Sequence, residues 1–253
     1  MPENAAVMTV SNDWEAAREV QQRFMAFRRG VGTPGPEVID ISAQCRQVQE
    51  LGGDFYDFMP FPGGRLALAI GDASGKGLAA ALMMANVQSS LRTAAWFTGG
   101  DGAAAVEAVN RQVHASSLAE RYATLFYGVI DPNTRTLRYV NAGHHSPMIL
   151  HRDGSVTWLE TGGAPVGMFS DWSYEEGCVP LASGDLLVVC TDGVMEAVNP
   201  AGEDWGVDGT REAAAPNIEK CAEEIVHAIF AAMDHFTCGR QVDDATVVAL
   251  KVR

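Results

Sequence analysis

Beyond residue 36 the chain reads mostly as short apolar-rich strands bounded by turn residues. Val38 to Val48, Phe55 to Phe61, Arg65 to Gly71, Ala123 to Ile130, Thr136 to Asn141, Met148 to His151, Val156 to Leu159, Tyr174 to Pro180 and Asp185 to Cys190 read as strands, and Ala245 to Val252 as the last. Asp131-Pro132-Asn133 and Arg152-Asp153-Gly154 supply the turn residues of two hairpins. Helical spacing appears in two blocks, Leu78 to Phe97 with Ala103 to Leu118, and Val207 to Ala214 with Ile218 to Ala232. Helices grouped in pairs, rather than alternating with strands, predict an α+β layered fold with sheets covered by helix pairs.

The first ten residues read as a loose tail. From Asn12 to Arg29, Trp14, Ala17, Val20, Phe24 and Phe27 recur at steps of three and four, the stripe of an amphipathic helix. Gly30 is placed to end it, and Gly32-Thr33-Pro34-Gly35-Pro36 breaks the chain beyond it. This predicts a division into an N-terminal tail and linker helix over 1–35 and a main domain over 36–253. The stripe suits either a helix folded onto that domain or a surface for self-association or an activating protein.

The sequence has 253 residues, and 47% of them are hydrophobic, which is ample for a core. Net charge is −14, so a nucleic-acid backbone would be repelled, and no Lys/Arg-rich block offsets this. No apolar run is long enough for a membrane span. The opening Met1-Pro2-Glu3-Asn4 has no signal-peptide pattern. The five cysteines, Cys45, Cys178, Cys190, Cys221 and Cys238, are scattered and form no CxxC pair. That argues against a zinc site or disulfide framework and for a cytoplasmic location.

Acidic residues recur where apolar strands stop. They stand in Gly52-Gly53-Asp54 with Asp57 close by, in Gly71-Asp72-Ala73-Ser74-Gly75-Lys76-Gly77, in Thr191-Asp192-Gly193, and in Asp243-Asp244-Ala245-Thr246. One Asp-Gly at a strand end is an ordinary turn. Four acidic strand ends gathered by a fold would repel one another unless a cation neutralised them, and all-oxygen ligands suit Mg²⁺ or Mn²⁺. GDASGKG is not a P-loop, since GxxxxGK[ST] needs one more residue before the Lys and a hydroxyl after it.

These segments, GGDFYD, GDASGKG, NAGHHSP (Asn141 to Pro147), TDGVMEA and DDATVVALKV, resemble in order the SpoIIE-type or RsbU-type serine/threonine phosphatases of the metal-dependent protein phosphatase 2C-like superfamily. The resemblance covers about residue 36 to residue 252. It implies a β-sandwich flanked by helix pairs, here with an N-terminal helix. It implies hydrolysis of phosphoserine or phosphothreonine by a metal-activated water, with two Mn²⁺ or Mg²⁺ ions. By the same resemblance Asp72 bridges both ions with the Ala73 carbonyl beside it, Asp54 and Asp192 hold one ion, and Asp243 holds the other. Asp244 ranks below Asp243, and Asp57 either adds a water-mediated contact or finishes a turn. The proton donor stays open between Lys76, which stands where relatives carry His, and His144, which is also readable as a structural histidine. The implied substrate is a phosphorylated anti-anti-sigma (STAS) protein of a bacterial partner-switching pathway, with a homodimer or an activator contact through the N-terminal helix. The competing readings are a catalytically weak module that binds a phosphoprotein, and a different two-metal hydrolase, whose ligands would commonly mix His with Asp.

Overall fold

The computed structural model describes residues 3–25, 38–117 and 121–253, with side chains described from residue 13 onward. The chain runs through helix α1 (Glu3–Met25), strands β1 (Ile39–Arg46), β2 (Asp54–Pro60) and β3 (Leu66–Ala73), and helices α2 (Gly77–Phe97) and α3 (Gly102–Ser116). Then come β4 (Ala123–Asp131), β5 (Thr136–Ala142), β6 (Met148–Leu150), β7 (Val156–Trp158), β8 (Gly162–Gly163), β9 (Gly177–Pro180) and β10 (Leu186–Cys190). Helices α4 (Asp192–Met195), α5 (Gly206–Ala214) and α6 (Ala222–Phe236) precede the final strand β11 (Ala245–Val252).

Two sheets stack between two helix pairs. One sheet has the order β1-β11-β10-β6-β7, so the first and last strands of the domain pair with each other. The other has the order β2-β3-β4-β5-β8, with β9 also on β5. The period-two pattern decides which residue faces which layer. In β3, Leu66, Leu68 and Ile70 point into the space between the sheets, where they meet Val248 and Leu250 of β11. The alternate residues Ala67, Ala69 and Ala73 face α2 and α3, and their small size lets those helices sit close to the sheet. On the far side, Ala245, Val247 and Ala249 of β11 meet Ile225, Ile229 and Phe230 of α6. Strands buried on both faces read as nearly continuous apolar runs, as β10 (LLVVC) and β11 (ATVVALKV) do.

The structure shifts some predicted boundaries. Helix α1 begins at Glu3, not at Asn12: Ala5, Ala6 and Met8 favour helix, and no Gly or Pro interrupts residues 3–25. The Gly30 cap, Phe27 and the breaker cluster at 32–36 lie outside the described residues. Helix α6 starts at Ala222 rather than Ile218, because Glu224 reaches back to accept from the Cys221 amide at 3.1 Å. Strand β9 is shorter than predicted because Glu176 leaves the ladder and accepts from the Gly102 amide at 2.7 Å, at the start of α3. Among the described residues no helix is long and apolar enough to cross a membrane.

Helix α1 is fastened to the sandwich. Gln21 is buried; its Nε2 donates to the Gly52 carbonyl at 2.7 Å, and its Oε1 accepts from the Gly52 amide at 3.2 Å and from Gln47 Nε2 at 2.8 Å. From α2, Gln88 Nε2 donates to the Phe24 carbonyl at 3.0 Å. The described part of the helix is thus held on the domain through Gln21 and Met25, while Val20 and Phe24 of the apolar stripe stay 53% and 39% exposed, so the stripe is left uncovered in this chain.

Candidate metal centre

The acidic strand ends meet at one end of the sandwich. Asp54 opens β2 and stands directly across the ladder from Asp72 near the end of β3. Cross-strand partners lie within about 5 Å of each other, so the register alone brings two carboxylates of the same sheet together. Asp192 arrives from the other sheet, as the first residue of the short helix α4 that follows β10. One carboxylate oxygen from each of Asp54, Asp72 and Asp192 lies within 4.8 Å of the other two.

The sheets are clamped at this point by two threonines. Thr191 Oγ1 and Thr246 Oγ1 both donate to Asp54 Oδ2, at 2.7 and 2.6 Å, and the Thr246 amide donates to Thr191 Oγ1 at 2.9 Å. Asp54 Oδ1 is buried and accepts no hydrogen bond. A buried carboxylate oxygen with no donor is costly unless something else neutralises it. An orphan oxygen on a carboxylate that stands beside two others is what a hard cation would satisfy. The backbone approaches closely here as well. A Cβ on Gly53 would stand 2.8 Å from the Ala73 carbonyl oxygen and 3.2 Å from Asp72 Oδ1, so only glycine fits the turn before Asp54. At Gly193 it would stand 1.9 Å from the Asp244 carbonyl oxygen, where α4 passes the start of β11.

Electrostatics agree with the geometry. Burial, and then the Asp72 carboxylate, push the Asp54 carboxyl well above the usual range, against the two threonine hydrogen bonds. Burial, and then Asp192 and Asp243, push Asp72 up to about 7. Asp192 is raised by burial and by Asp243. Like charges crowded in a half-buried space hold protons unless a cation replaces them.

The remaining acidic residues take different positions. Asp243 lies outside the group of three; its Oδ2 accepts from Lys76 Nζ at 2.6 Å, in an ion pair open to solvent. Asp244 turns toward the loop that carries Asp54, where its oxygens accept from the Val48 amide at 2.8 Å and the Gly53 amide at 3.0 Å. Asp57 is within β2 and faces α2, where Arg92 grips it through Nε at 2.5 Å and Nη2 at 2.6 Å and Gln88 adds a bond at 3.1 Å. It finishes no turn, and its carboxylate serves the helix layer.

His144 is buried, with Nδ1 hydrogen-bonded to Thr124 Oγ1 at 3.0 Å and its amide donating to Asn141 Oδ1 at 2.8 Å. Burial lowers its pKa to about 3, so the ring is neutral and carries no proton to donate as an imidazolium near neutrality. Lys76 is exposed and charged. Thr191, Thr246 and the capping role of Asp244 escaped the sequence reading. The threonines adjoin quoted aspartates, but only packing shows that their hydroxyls converge on one oxygen. Arg121 is a further case: its Nη1 donates to the Ser74 carbonyl at 2.7 Å, pinning the turn after Asp72.

A family model described as Stage II sporulation protein E (SpoIIE) matches residues 62–253. The chain belongs to the SpoIIE family. This SpoIIE-family chain is 28% identical over 262 residues to Protein IcfG of Synechocystis, matching 93% of the chain and 41% of that protein. It is 28% identical over 188 residues to the phosphoserine phosphatase RsbU of Bacillus subtilis, matching 74% of the chain and 54% of that protein. The chain thus spans about half the length of these relatives. The SiaA-PP2C domain of Pseudomonas aeruginosa superposes with a TM-score of 0.84 at 22% identity, covering 98% of this chain and 99% of that one, which shows a PP2C-like fold.

Proposed function

We propose that this chain is a metal-dependent phosphoprotein phosphatase that hydrolyses phosphoserine or phosphothreonine. The observation that carries the reading is the convergence of Asp54, Asp72 and Asp192, three carboxylates from two sheets with their oxygens within 4.8 Å. The orphan Asp54 Oδ1 adds to it. Asp54, Asp72 and Asp192 would hold Mn²⁺ or Mg²⁺, with the Ala73 carbonyl and, once released from Lys76, Asp243 as the further oxygen ligands that the family resemblance implies. Bound divalent cations supply an ionised water at neutral pH and neutralise charge on the phosphoryl oxygens.

The rest of the work falls to the chain itself. Thr191 and Thr246 fix the Asp54 carboxylate through Oδ2 and leave Oδ1 without a hydrogen bond. Asp244 holds the Gly53 amide and so the turn that presents Asp54. Lys76, freed from Asp243, is a cation within reach of an incoming phosphate, and His144 shapes the floor as a neutral ring. The substrate that fits the family resemblance is a phosphorylated anti-anti-sigma (STAS) protein of a partner-switching pathway, and the kinship with the phosphoserine phosphatase RsbU supports it.

The test is hydrolysis of p-nitrophenyl phosphate with Mn²⁺, with Mg²⁺ and with chelator, repeated for Asp192→Ala. Turnover that needs the cation and vanishes in the variant is expected. A rate indifferent to chelator, or to loss of Asp192, would defeat the reading.

A further inference from the structure

Next to the carboxylates, and outside everything assigned so far, lies an open groove of about 730 Å³. Trp158 and Val207 line it and stay 40% and 36% exposed, with Met195 at its floor. Glu160, Glu196 and Asp204 add three negative charges to the lining. The groove continues into the candidate centre. His145 and Ser146 line it and also line the smaller depression that contains Asp192. One helical turn joins the two places: the Glu196 amide donates to the Asp192 carbonyl at 2.6 Å, so α4 carries a centre carboxylate at one end and leads to a groove carboxylate at the other. Single exposed apolar side chains are ordinary. An indole, a valine and a methionine gathered in a concave, acid-lined channel beside a phosphate-processing centre are what a peptide with one apolar anchor and one basic residue would fill.

We propose that this groove is the docking channel for the phosphoprotein substrate, and that it takes a segment carrying an apolar side chain and a Lys or Arg next to the phosphorylated residue. The apolar residue packs on Trp158 and Val207, and the cation lies among Glu160, Glu196 and Asp204. The phosphoserine or phosphothreonine then falls toward Asp54, Asp72 and Asp192. The proposal rests on the phosphatase reading for the direction in which the segment lies.

Its test does not depend on turnover. Two fluorescein-labelled serine peptides, one flanked by Arg and Leu and one by Glu and Ser, are titrated with the full chain in chelator and followed by anisotropy. The Arg-Leu peptide is expected to bind and the Glu-Ser peptide not. Trp158→Ala and Glu160→Lys are each expected to weaken the Arg-Leu peptide by about tenfold, the scale of an anchor or a charge lost from an interface. Glu107→Lys makes the same charge change on α3, outside the groove lining, and is expected to leave affinity within about twofold. Equal affinity for the two peptides would overturn the proposal. So would indifference to Trp158→Ala and Glu160→Lys, or a loss with Glu107→Lys as large as theirs. Failure of p-nitrophenyl phosphate hydrolysis would instead strike the phosphatase reading and leave the peptide titration to be judged separately.

Discussion

Thr191 and Thr246 give both of their hydroxyl protons to one oxygen of Asp54, which leaves the other oxygen free for a cation. Thr246→Val keeps the shape and removes one donor. It is expected to cost about 1–3 kcal/mol, the scale of a buried polar group left short of a partner. Chemical denaturation of the metal-free protein measures it; an unchanged midpoint would mean the hydroxyl is dispensable. Asp72→Asn separates stability from activity. Losing a carboxylate that serves two cations should remove several kcal/mol of transition-state stabilisation, which at about 1.4 kcal/mol per factor of ten is about a thousandfold in turnover. The same change relieves repulsion in the metal-free fold, so its thermal midpoint should not fall. A variant with full turnover in Mn²⁺ would contradict the bridging role.

At the scale of elements, two ties fasten helices to strand β2 and to the turn before it. Arg92 of α2 clasps Asp57 of β2, and the carboxylate is buried while the guanidinium is half in water. Arg92→Ala would leave that carboxylate with Gln88 alone and is expected to destabilise by about 1–3 kcal/mol, measured by denaturation. Gln21 of α1 holds both the amide and the carbonyl of Gly52, two residues before Asp54. Gln21→Ala should speed amide exchange at Gly52 and Gly53 and weaken Mn²⁺ binding measured by calorimetry; unchanged exchange would show that α1 rests on the turn without holding it. Helices α2, α3, α5 and α6 were legible in sequence because each carries an apolar face at helical spacing. The four-residue α4 was not, since one turn has no period to read, and Thr191-Asp192-Gly193 reads as an ordinary turn at a strand end.

Across the whole molecule, the two sheets press carboxylates together at one end of the sandwich, and this sets a pH dependence. The folded pKa of Asp72 is raised from 3.8 to about 7, first by burial and then by Asp192 and Asp243. A carboxyl raised on folding contributes stability that is complete below its unfolded pKa and is lost as pH rises through the folded value. The metal-free protein should therefore lose stability relative to Asp72→Asn between about pH 4 and pH 7. Mn²⁺ should restore it at the upper end, because a ligand that binds only the folded state stabilises it. Thermal melts of both proteins across that window, with and without Mn²⁺, check this; parallel curves would show that Asp72 titrates normally.

By itself the sequence determined the α+β class, the strand and helix pairs, and the identity of the acidic strand ends. These depend on local periodicity and on residue types that interrupt it, and both are written in consecutive residues. Which carboxylates meet was decided only by the tertiary structure. Asp54 and Asp72 face each other through the β2–β3 register, while Asp192 must cross from the second sheet. Alternation told that Asp243 and Asp244 point apart, yet not that Lys76 takes the first and the loop amides take the second. Side-chain direction around a turn depends on what packs against it, and those partners lie far away along the chain.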